Sequence, residues 1–514
     1  MGQCRTGFFA HHACRLFRRQ KWICRSASRQ PKRYIQHCFL QNDAKFNEEG
    51  LSAFVFAWGQ FIDHDISVTE EGDERANILL PNNEPLFRTP ISFSRSKPRS
   101  GTGVNSPREQ TNKITAWIDG SVVYGSDMNR ANWLRTFRNG KLKVSSGNLL
   151  PFNTVNGQQS GAVDPNAPHM AGDNRGKVFV AGDERANEQP TLMALHTLFV
   201  REHNRICDNF VRLGYTNDEN NYQLARKIVA AHIQAITFEE FLPALGIELD
   251  YYEGCNQNLN PNTLHEFASA GFRIGHTMVN PALRLVDNNN RTTGTISLVQ
   301  GFFNTDFVKN RGIDQILMGM SRDRQQEIDL LVINDLRNFL FASQPGSPGT
   351  DLVSINIQRG RDHGLADYNT VRKTFTGSRV NTWSDITKNR TVQDKLRQLY
   401  PSVNDIDLWV GALAEDKLSW ASVGITHYAI LWTQFTILRD GDRFYFENDP
   451  LFDEDWHDYF FETTLGDLIR FNTGLSNIGW DVFLYLSTTT LERMICLPTK
   501  KPKTEPSTTS ILKQ

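Results

Sequence analysis

Cysteine is scarce in this chain. There are seven in 514 residues: Cys4, Cys14, Cys24 and Cys38 fall within the first forty, and Cys207, Cys255 and Cys496 are widely spread. That is too few to staple a chain of this length, and an odd total without a C-x-x-C pair excludes neither an oxidising nor a reducing compartment. Long apolar runs are missing too. Nothing approaches the ~18 consecutive residues of a membrane span, so no transmembrane segment is expected. A dominant charge is also absent: the net charge is -1, which gives no global reason to expect nucleic acid as a partner. The first forty residues are the exception, with nine Lys and Arg side chains between Arg5 and Arg33 and no acid. Their Arg and Ser content suggests a transit peptide, and Met1-Gly2-Gln3-Cys4-Arg5-Thr6 fits the loose myristoylation pattern, but a disordered or mis-spliced start is the expectation. Two N-x-T sequons, at Asn290 and Asn389, permit glycosylation if the chain is exported.

What is present is one stretch on which the rest turns, Trp58-Gly59-Gln60-Phe61-Ile62-Asp63-His64-Asp65. It closes a segment whose apolar residues (Leu51, Phe54, Val55, Trp58, Phe61, Ile62) recur at helical spacing, which predicts an amphipathic helix over about 48–66. On that helix Gln60 and His64, four apart, share a face; Asp63 flanks it and Asp65 points further round. Polar groups crowded onto a helix that wants burial must be paired or ligated, unless the helix end simply faces solvent.

Further along, residues 70–112 read as a long surface loop. In Thr115-Ala116-Trp117-Ile118-Asp119-Gly120-Ser121, oxygen-bearing side chains recur at every second position. An extended segment would aim Thr115, Asp119 and Ser121 at one point, with the Trp117 carbonyl between them. An all-oxygen set of that kind suits calcium, and a polar edge strand explains it equally well. Residues 140–187 are loop-like. Asn187-Glu188-Gln189-Pro190 then reads as a helix entrance, with Glu188 favouring the dipole, followed by two helices through Leu192–Ile206 and Leu224–Phe238.

Leu264-His265-Glu266-Phe267-Ala268-Ser269 is not a zinc-protease motif, because Ser269 stands where the second histidine is required. The same helix is predicted to run over about 264–280 and to place Arg273 one turn before His276. By itself a lone helical histidine is ordinarily a satisfied core residue. Helical periodicity returns at 326–341, and the tail after Pro498 is polar and expected to be disordered. Helical pattern dominates, without repeats or βα alternation.

Taken together, the octet at 58–65, the heptad at 115–121, Arg185-Ala186-Asn187-Glu188, Arg201-Glu202-His203-Asn204-Arg205, Phe272-Arg273-Ile274-Gly275-His276 and Asn356-Ile357-Gln358-Arg359-Gly360-Arg361-Asp362-His363-Gly364 resemble the animal haem peroxidase superfamily, in that family's order, over roughly residues 48–483. The resemblance implies a mainly α fold with little β structure: one large helical domain at 48–497, after an atypical segment at 1–47 and before a tail at 498–514. It implies haem b, with His64 as the distal histidine, Arg185 the distal arginine and Gln60 a third polar group over the iron. His276 would be the proximal iron ligand and Asn356 would accept a hydrogen bond from its other nitrogen. Asp63 and Glu188 would form ester links to the haem, Arg273 and Arg359 would lie near the propionates or iron, and Asp65 with Thr115, Trp117, Asp119 and Ser121 would bind calcium.

The implied partners are hydrogen peroxide and a small anionic or phenolic reductant, and the implied setting is extracellular. Gln189 stands where some members carry a methionine bonded to the haem, so that third link is expected to be missing; oxidation of bromide, iodide, thiocyanate or tyrosine-like phenols is then favoured over chloride. The alternatives are a fatty-acid oxygenase on the same fold, which needs a radical tyrosine, and a non-catalytic adhesion or matrix protein, for which an intact distal triad would be wasted.

Overall fold

The computed structural model describes residues 44–82, 84–342, 347–485 and 506. The basic start, with four of the cysteines, and Cys496 and the polar tail lie outside the described residues. Helix α1 (Phe54–Ile66) is the centre of the molecule. It was expected to show a greasy side and a polar one, but Phe54, Val55, Phe56, Ala57, Trp58, Phe61, Ile62, His64, Asp65 and Ile66 are all buried. A helix apolar nearly all round is a core helix, wrapped by others rather than laid on a surface. It also starts later than its periodicity implies. Ser52 donates its backbone N–H to the Phe483 carbonyl at 2.8 Å and Ala53 donates to Asp323 at 2.8 Å, so the preceding residues bond to distant backbone instead of extending the helix.

The α1 core is aromatic. Phe61 stacks on Phe199 with centroids 5.3 Å apart, Trp58 lies 5.7 Å from Phe199, and the Trp58 indole donates to Thr237 Oγ1 at 3.2 Å. Each such pair adds about 0.5–1.5 kcal/mol beyond its buried area, so tertiary packing holds α1 more than intrinsic propensity does.

The elements that frame the site follow in order. A short helix α2 (Ser121–Tyr124) comes before α3 (Pro190–Arg212) and α4 (Asp218–Ala235), the two long helices that the sequence periodicity anticipates. A six-residue π-helical stretch, Ile236–Phe241, continues α4 and carries both Thr237 and Phe241; wide turns of this kind recur at functional sites. The expected helix over about 264–280 is broken into α5 (His265–Ser269), a 3-10 turn (Gly271–Ile274) and α6 (Gly275–Met278). The break accommodates α8, introduced below: a Cβ on Gly271 would lie 2.5 Å from Ile430 Cγ2, so this chain passes α8 at glycine distance. Helix α7 (Leu352–Asp362) opens on Asp351, whose carboxylate accepts from Ser354 N, and α8 (Ile425–Asp440) packs behind the 3-10 turn.

The described strands form two antiparallel hairpins. Strand β1 (Glu71–Arg75) pairs with β2 (Ser94–Ser96), and β3 (Ala282–Val286) pairs with β4 (Thr292–Ser297). The first lies inside the stretch read as a loop. It has its own small core of Ile78, Phe87, Ile91 and Phe93, and Asp362 at the end of α7 accepts from Arg95 Nε at 2.6 Å and Ser96 N at 2.8 Å. The helix expected over 326–341 shrinks to Asn334–Asn338, because Gln326 pairs with Phe46 and donates to the Met278 carbonyl. The architecture is mainly helical around one continuous core. Among the described residues, no helix is long and apolar enough to cross a membrane.

Candidate active site

A cavity of about 370 Å³ opens between the end of α1 and the α5–α6 segment, within the size range of small-molecule sites. His64, Gln60 and Asp63 line it from α1; Arg185, Glu188 and Gln189 from the turn before α3; Arg273 and His276 from around α6; Arg359 and His363 from α7 and its end. The walls are apolar, with Phe56, Phe241, Phe272, Ile274, Phe302 and Leu340 among them.

Local structure explains how the first group converges. Helix α1 ends at Ile66, and its last turn leaves carbonyls without helical partners. Arg185 answers them, donating from Nη2 to the Ser67 carbonyl at 3.0 Å and to that of His64 at 3.5 Å. Its Nε donates to Asp183 Oδ1 at 2.8 Å and its Nη2 to Asp183 Oδ2 at 2.9 Å. This forked ion pair leaves Nη1 facing Asp63 Oδ2 at 3.6 Å. Asp183 also faces His64, Oδ1 to Nδ1 at 3.6 Å, both side chains being about 4 % exposed. The two charges hold each other: Arg185 pulls the Asp183 carboxyl well below the usual carboxylate range against burial, and Asp183 raises the Arg185 guanidinium. Sequence reasoning passed over Asp183. Its signal was there in a carboxylate two residues before Arg185, in a loop rich in Gly and Asp.

The helix entrance at 187–190 works differently from its reading. Gln189, not Glu188, is the cap: its Oε1 accepts from Thr191 N at 2.8 Å and Thr191 Oγ1 at 2.5 Å. Glu188 is thereby freed to face the cavity, where its Oε2 accepts from Gln60 Nε2 at 2.8 Å; Gln189 Nε2 in turn donates to Gln60 Oε1 at 3.1 Å. Burial pushes Glu188 up to about 7 and also raises Asp63, in each case against the pull of Arg185. His64 is held well below its usual range by burial and then by the Arg185 charge, so its imidazole is neutral at physiological pH.

On the other wall the break in the helix sets Arg273 in the 3-10 turn and His276, three residues on, in α6. Both reach Asn356. Arg273 Nη1 donates to Asn356 Oδ1 at 2.8 Å, and Asn356 Nδ2 lies 2.7 Å from His276 Nδ1. This reverses the expected sense of the contact. Arginine can only donate, so it claims the amide oxygen, and the amide nitrogen is what meets the imidazole. An amide flip would exchange the Arg273 bond for an accepting oxygen at Nδ1. Burial and then the Arg273 charge push His276 down to about 3, so it is neutral. Arg359 lines the cavity but spends its donors elsewhere, on the Ser94 carbonyl at 3.0 Å and Ser96 Oγ at 2.8 Å, with Phe93 under its guanidinium at 4.3 Å.

The third group is not an extended segment. Residues 116–120 form a succession of bends running into α2, and it is this wrapping, rather than strand alternation, that gathers the oxygens. Thr115 Oγ1 donates to Asp119 Oδ1 at 3.1 Å and Ser121 Oγ at 3.2 Å; Ser121 Oγ donates to Asp65 Oδ1 at 3.1 Å. Val122 N reaches Asp65 Oδ1 at 2.7 Å. Trp117 lies half-buried in the same loop. Burial drives the Asp65 carboxyl up to about 8, and the nearby Asp119 adds to it. Two enclosed carboxylates among hydroxyls suit a hard cation, although among the described residues no three His, Cys, Asp or Glu side chains form a ligating cluster.

The residues present fit a haem. One wall offers a neutral imidazole for a metal, the other a neutral imidazole beside a guanidinium, and apolar side chains between them suit a macrocycle; Arg273 and Arg359 supply cations for its acidic substituents.

Comparison with known proteins agrees with that fit. The animal haem peroxidase family model matches residues 16–483, beginning inside the basic segment. The chain is 32% identical to peroxinectin A of Dictyostelium discoideum over 446 residues, 82% of each protein. It is 33% identical to rat thyroid peroxidase over 88% of this chain, spanning 55% of that protein. Among solved structures, peroxidase A from Dictyostelium discoideum superposes with a TM-score of 0.81 at 30% identity, covering 89% of this chain and 91% of that one. A fatty acid alpha-dioxygenase from Arabidopsis thaliana shares the fold, with a TM-score of 0.72 at 19% identity, over 90% of this chain and 79% of its own.

Proposed function

The chain belongs to the animal haem peroxidase family and is a peroxidase, and on that premise we propose that it uses hydrogen peroxide to oxidise iodide, bromide, thiocyanate or phenolic substrates in the cavity between His64 and His276. The observation that carries this reading is the convergence of those two neutral imidazoles and Arg185 on one cavity. Haem, gripped through His276, supplies the redox chemistry that divides the peroxide bond.

The chain's own residues manage protons and charge. Neutral His64 would take the proton from one peroxide oxygen and return it to the departing one. Arg185 faces the negative charge that develops there; its charge is permanent, whereas a desolvated lysine would lose its proton. Gln60, hydrogen-bonded to Glu188, holds the third polar position. Opposite, Asn356 with its amide flipped would accept from His276 Nδ1, giving up the Arg273 bond, and would make the ring a stronger donor through Nε2. Asp63 and Glu188 would form the ester links, a carboxylate oxygen replacing one hydrogen of a haem methyl in a two-electron oxidation for which peroxide is the oxidant; their raised pKa values fit carboxyls that enter a neutral ester. Asp65, Thr115, Trp117, Asp119 and Ser121 would hold calcium, which would pin Asp65, the residue next to His64. The catalytic domain is assigned to residues 48–497, of which 486–497 lie outside the described residues, and the sequons at Asn290 and Asn389 are exposed and so open to glycosylation if the chain is exported.

Gln189 caps α3 where some family members bond a methionine to the haem, which supports the easier halides over chloride. The oxygenase reading requires a tyrosine at the cavity, and among the described lining residues there is none. The test is direct. Purified holoprotein should show a Soret band that shifts on adding peroxide and should oxidise iodide or a phenol; oxygen uptake with a polyunsaturated fatty acid and no peroxide would favour the oxygenase.

A further inference from the structure

We propose that Asp183 is a positioning residue that sets the working state of both His64 and Arg185, so that the two operate as one unit; this rests on the peroxidase reading above. Asp183 is buried, and beyond the Asx-turn bond that anchors its loop its carboxylate is spent on the two groups that face the cavity. Its carboxylate accepts from Arg185 three times, from the backbone N at 2.9 Å, from Nε at 2.8 Å and from Nη2 at 2.9 Å. With Ser67 taking the rest of Nη2, the fork of five guanidinium donors is reduced to one free corner, Nη1, on the Asp63 side of the ring. The carboxylate thus decides which edge of Arg185 meets the cavity.

The same oxygen acts on the histidine. His64 Nδ1 is buried without a hydrogen-bond partner, and Asp183 Oδ1 is the acceptor that faces it, at 3.6 Å. A carboxylate can only accept, so it favours the tautomer with hydrogen on Nδ1 and leaves Nε2 free to take a proton from the cavity side. A side chain able to donate at that point would select the opposite tautomer and disable the base. A closing movement of less than an ångström completes the bond, and catalytic hydrogen bonds commonly tighten that way. Asp183, Arg185 and His64 therefore form a continuous arrangement in which the acid touches neither peroxide nor haem and works through its two neighbours.

The experiment compares wild type, Asp183→Asn, His64→Gln and the double variant as haem-loaded proteins. Two quantities are read from the Soret band: the rate constant for reaction with peroxide, and the dissociation constant for cyanide, which binds as the neutral acid, hands its proton to the distal base and involves no turnover. The amide introduced by Asp183→Asn can donate to Nδ1, so this variant should slow the peroxide reaction about tenfold to a hundredfold and weaken cyanide by a similar factor. In the His64→Gln background the same change should cost less than about threefold, since the route through the histidine is already cut and, on the remaining route, the amide oxygen can still accept from Arg185. Equal losses in both backgrounds, or a wild-type rate and cyanide affinity in Asp183→Asn, overturn the proposal. Should Asp183→Asn fail to load haem, Asp183→Glu keeps the charge and displaces the oxygens: an intact Soret band with a rate about tenfold lower supports the proposal, and a wild-type rate overturns it. If wild type itself gives no reaction with peroxide, the peroxidase reading fails instead.

Discussion

Gln60 and Glu188 are 128 positions apart in the chain and meet at 2.8 Å, amide nitrogen to carboxylate, where the end of α1 faces the entrance of α3. Glu188 is available for this contact because Gln189 has taken over the capping of α3. The contact joins the two segments that carry the polar side of the cavity, and it leaves Glu188 in a pocket where burial pushes it up to about 7.

Replacing Glu188 with glutamine preserves that hydrogen-bonding position and removes the acid. Mass spectrometry of a peroxide-treated holoprotein digest is expected to find haem attached at both Asp63 and Glu188 in the wild type, at Asp63 alone in Glu188→Gln, and at Gln189 in neither. Unchanged doubly linked haem in the variant would remove Glu188 from the ester assignment.

If His64 moves protons as proposed and does not hold the metal, His64→Ala should lower the rate constant for reaction with peroxide by about 10²–10⁴ while haem stays bound. Stopped-flow Soret spectroscopy measures the rate and the pyridine haemochrome assay the haem content. Loss of haem in proportion to activity would recast His64 as a binding residue.

On the proposed reading, calcium would tie the 115–121 loop to Asp65, the residue next to His64. Chelation, or Asp119→Ala, should therefore reduce peroxidase activity and haem retention together, and re-addition of calcium should restore the chelated protein but not the variant. A verified calcium-free sample with full activity would break this link.

Acid should destabilise the fold through its buried histidines. His232, with both ring nitrogens unpartnered, sits between Tyr459 and Phe460, and burial pushes it down to about 4; His203 and His427 are lowered to about 4 as well. The unfolded chain takes up these protons near pH 6.5, the folded one only near 4. Their contribution is thus full above pH 6.5, falls as pH drops, and levels off below 4, at roughly 1.4 kcal/mol per pH unit for each group. Thermal melts from pH 7 to pH 4 should show the decline, and His232→Leu should make it shallower. A slope identical to wild type would mean that His232 is already protonated in the fold.

Much of the site could be read along the chain because its groups travel in short motifs. The octet at 58–65 placed Gln60, Asp63 and His64 on one helix end by period alone, and they do share the cavity. Elements with strong local signals, such as α3 and α4, were equally readable. Where competing partners lay far away in sequence, local pattern failed. The residues before Phe54 kept helical spacing yet gave their backbone to Phe483 and Asp323. The proximal helix broke where Gly271 meets Ile430, and the stretch at 326–333 was drawn off by Met278 and Phe46.

The sequence by itself determined the chemistry available to this protein, because side-chain type sets what can carry a proton, a permanent charge or a metal. Only the tertiary structure decided which nitrogen and which oxygen face each other. Asp183 was an unremarked acid in a polar loop until folding buried it between Arg185 and His64, and Asn356, expected to serve His276 alone, turned out to be shared between His276 and Arg273. Both outcomes depend on competition for hydrogen bonds among groups that meet only when helices from distant parts of the chain close on one cavity and exclude the water that would otherwise satisfy them.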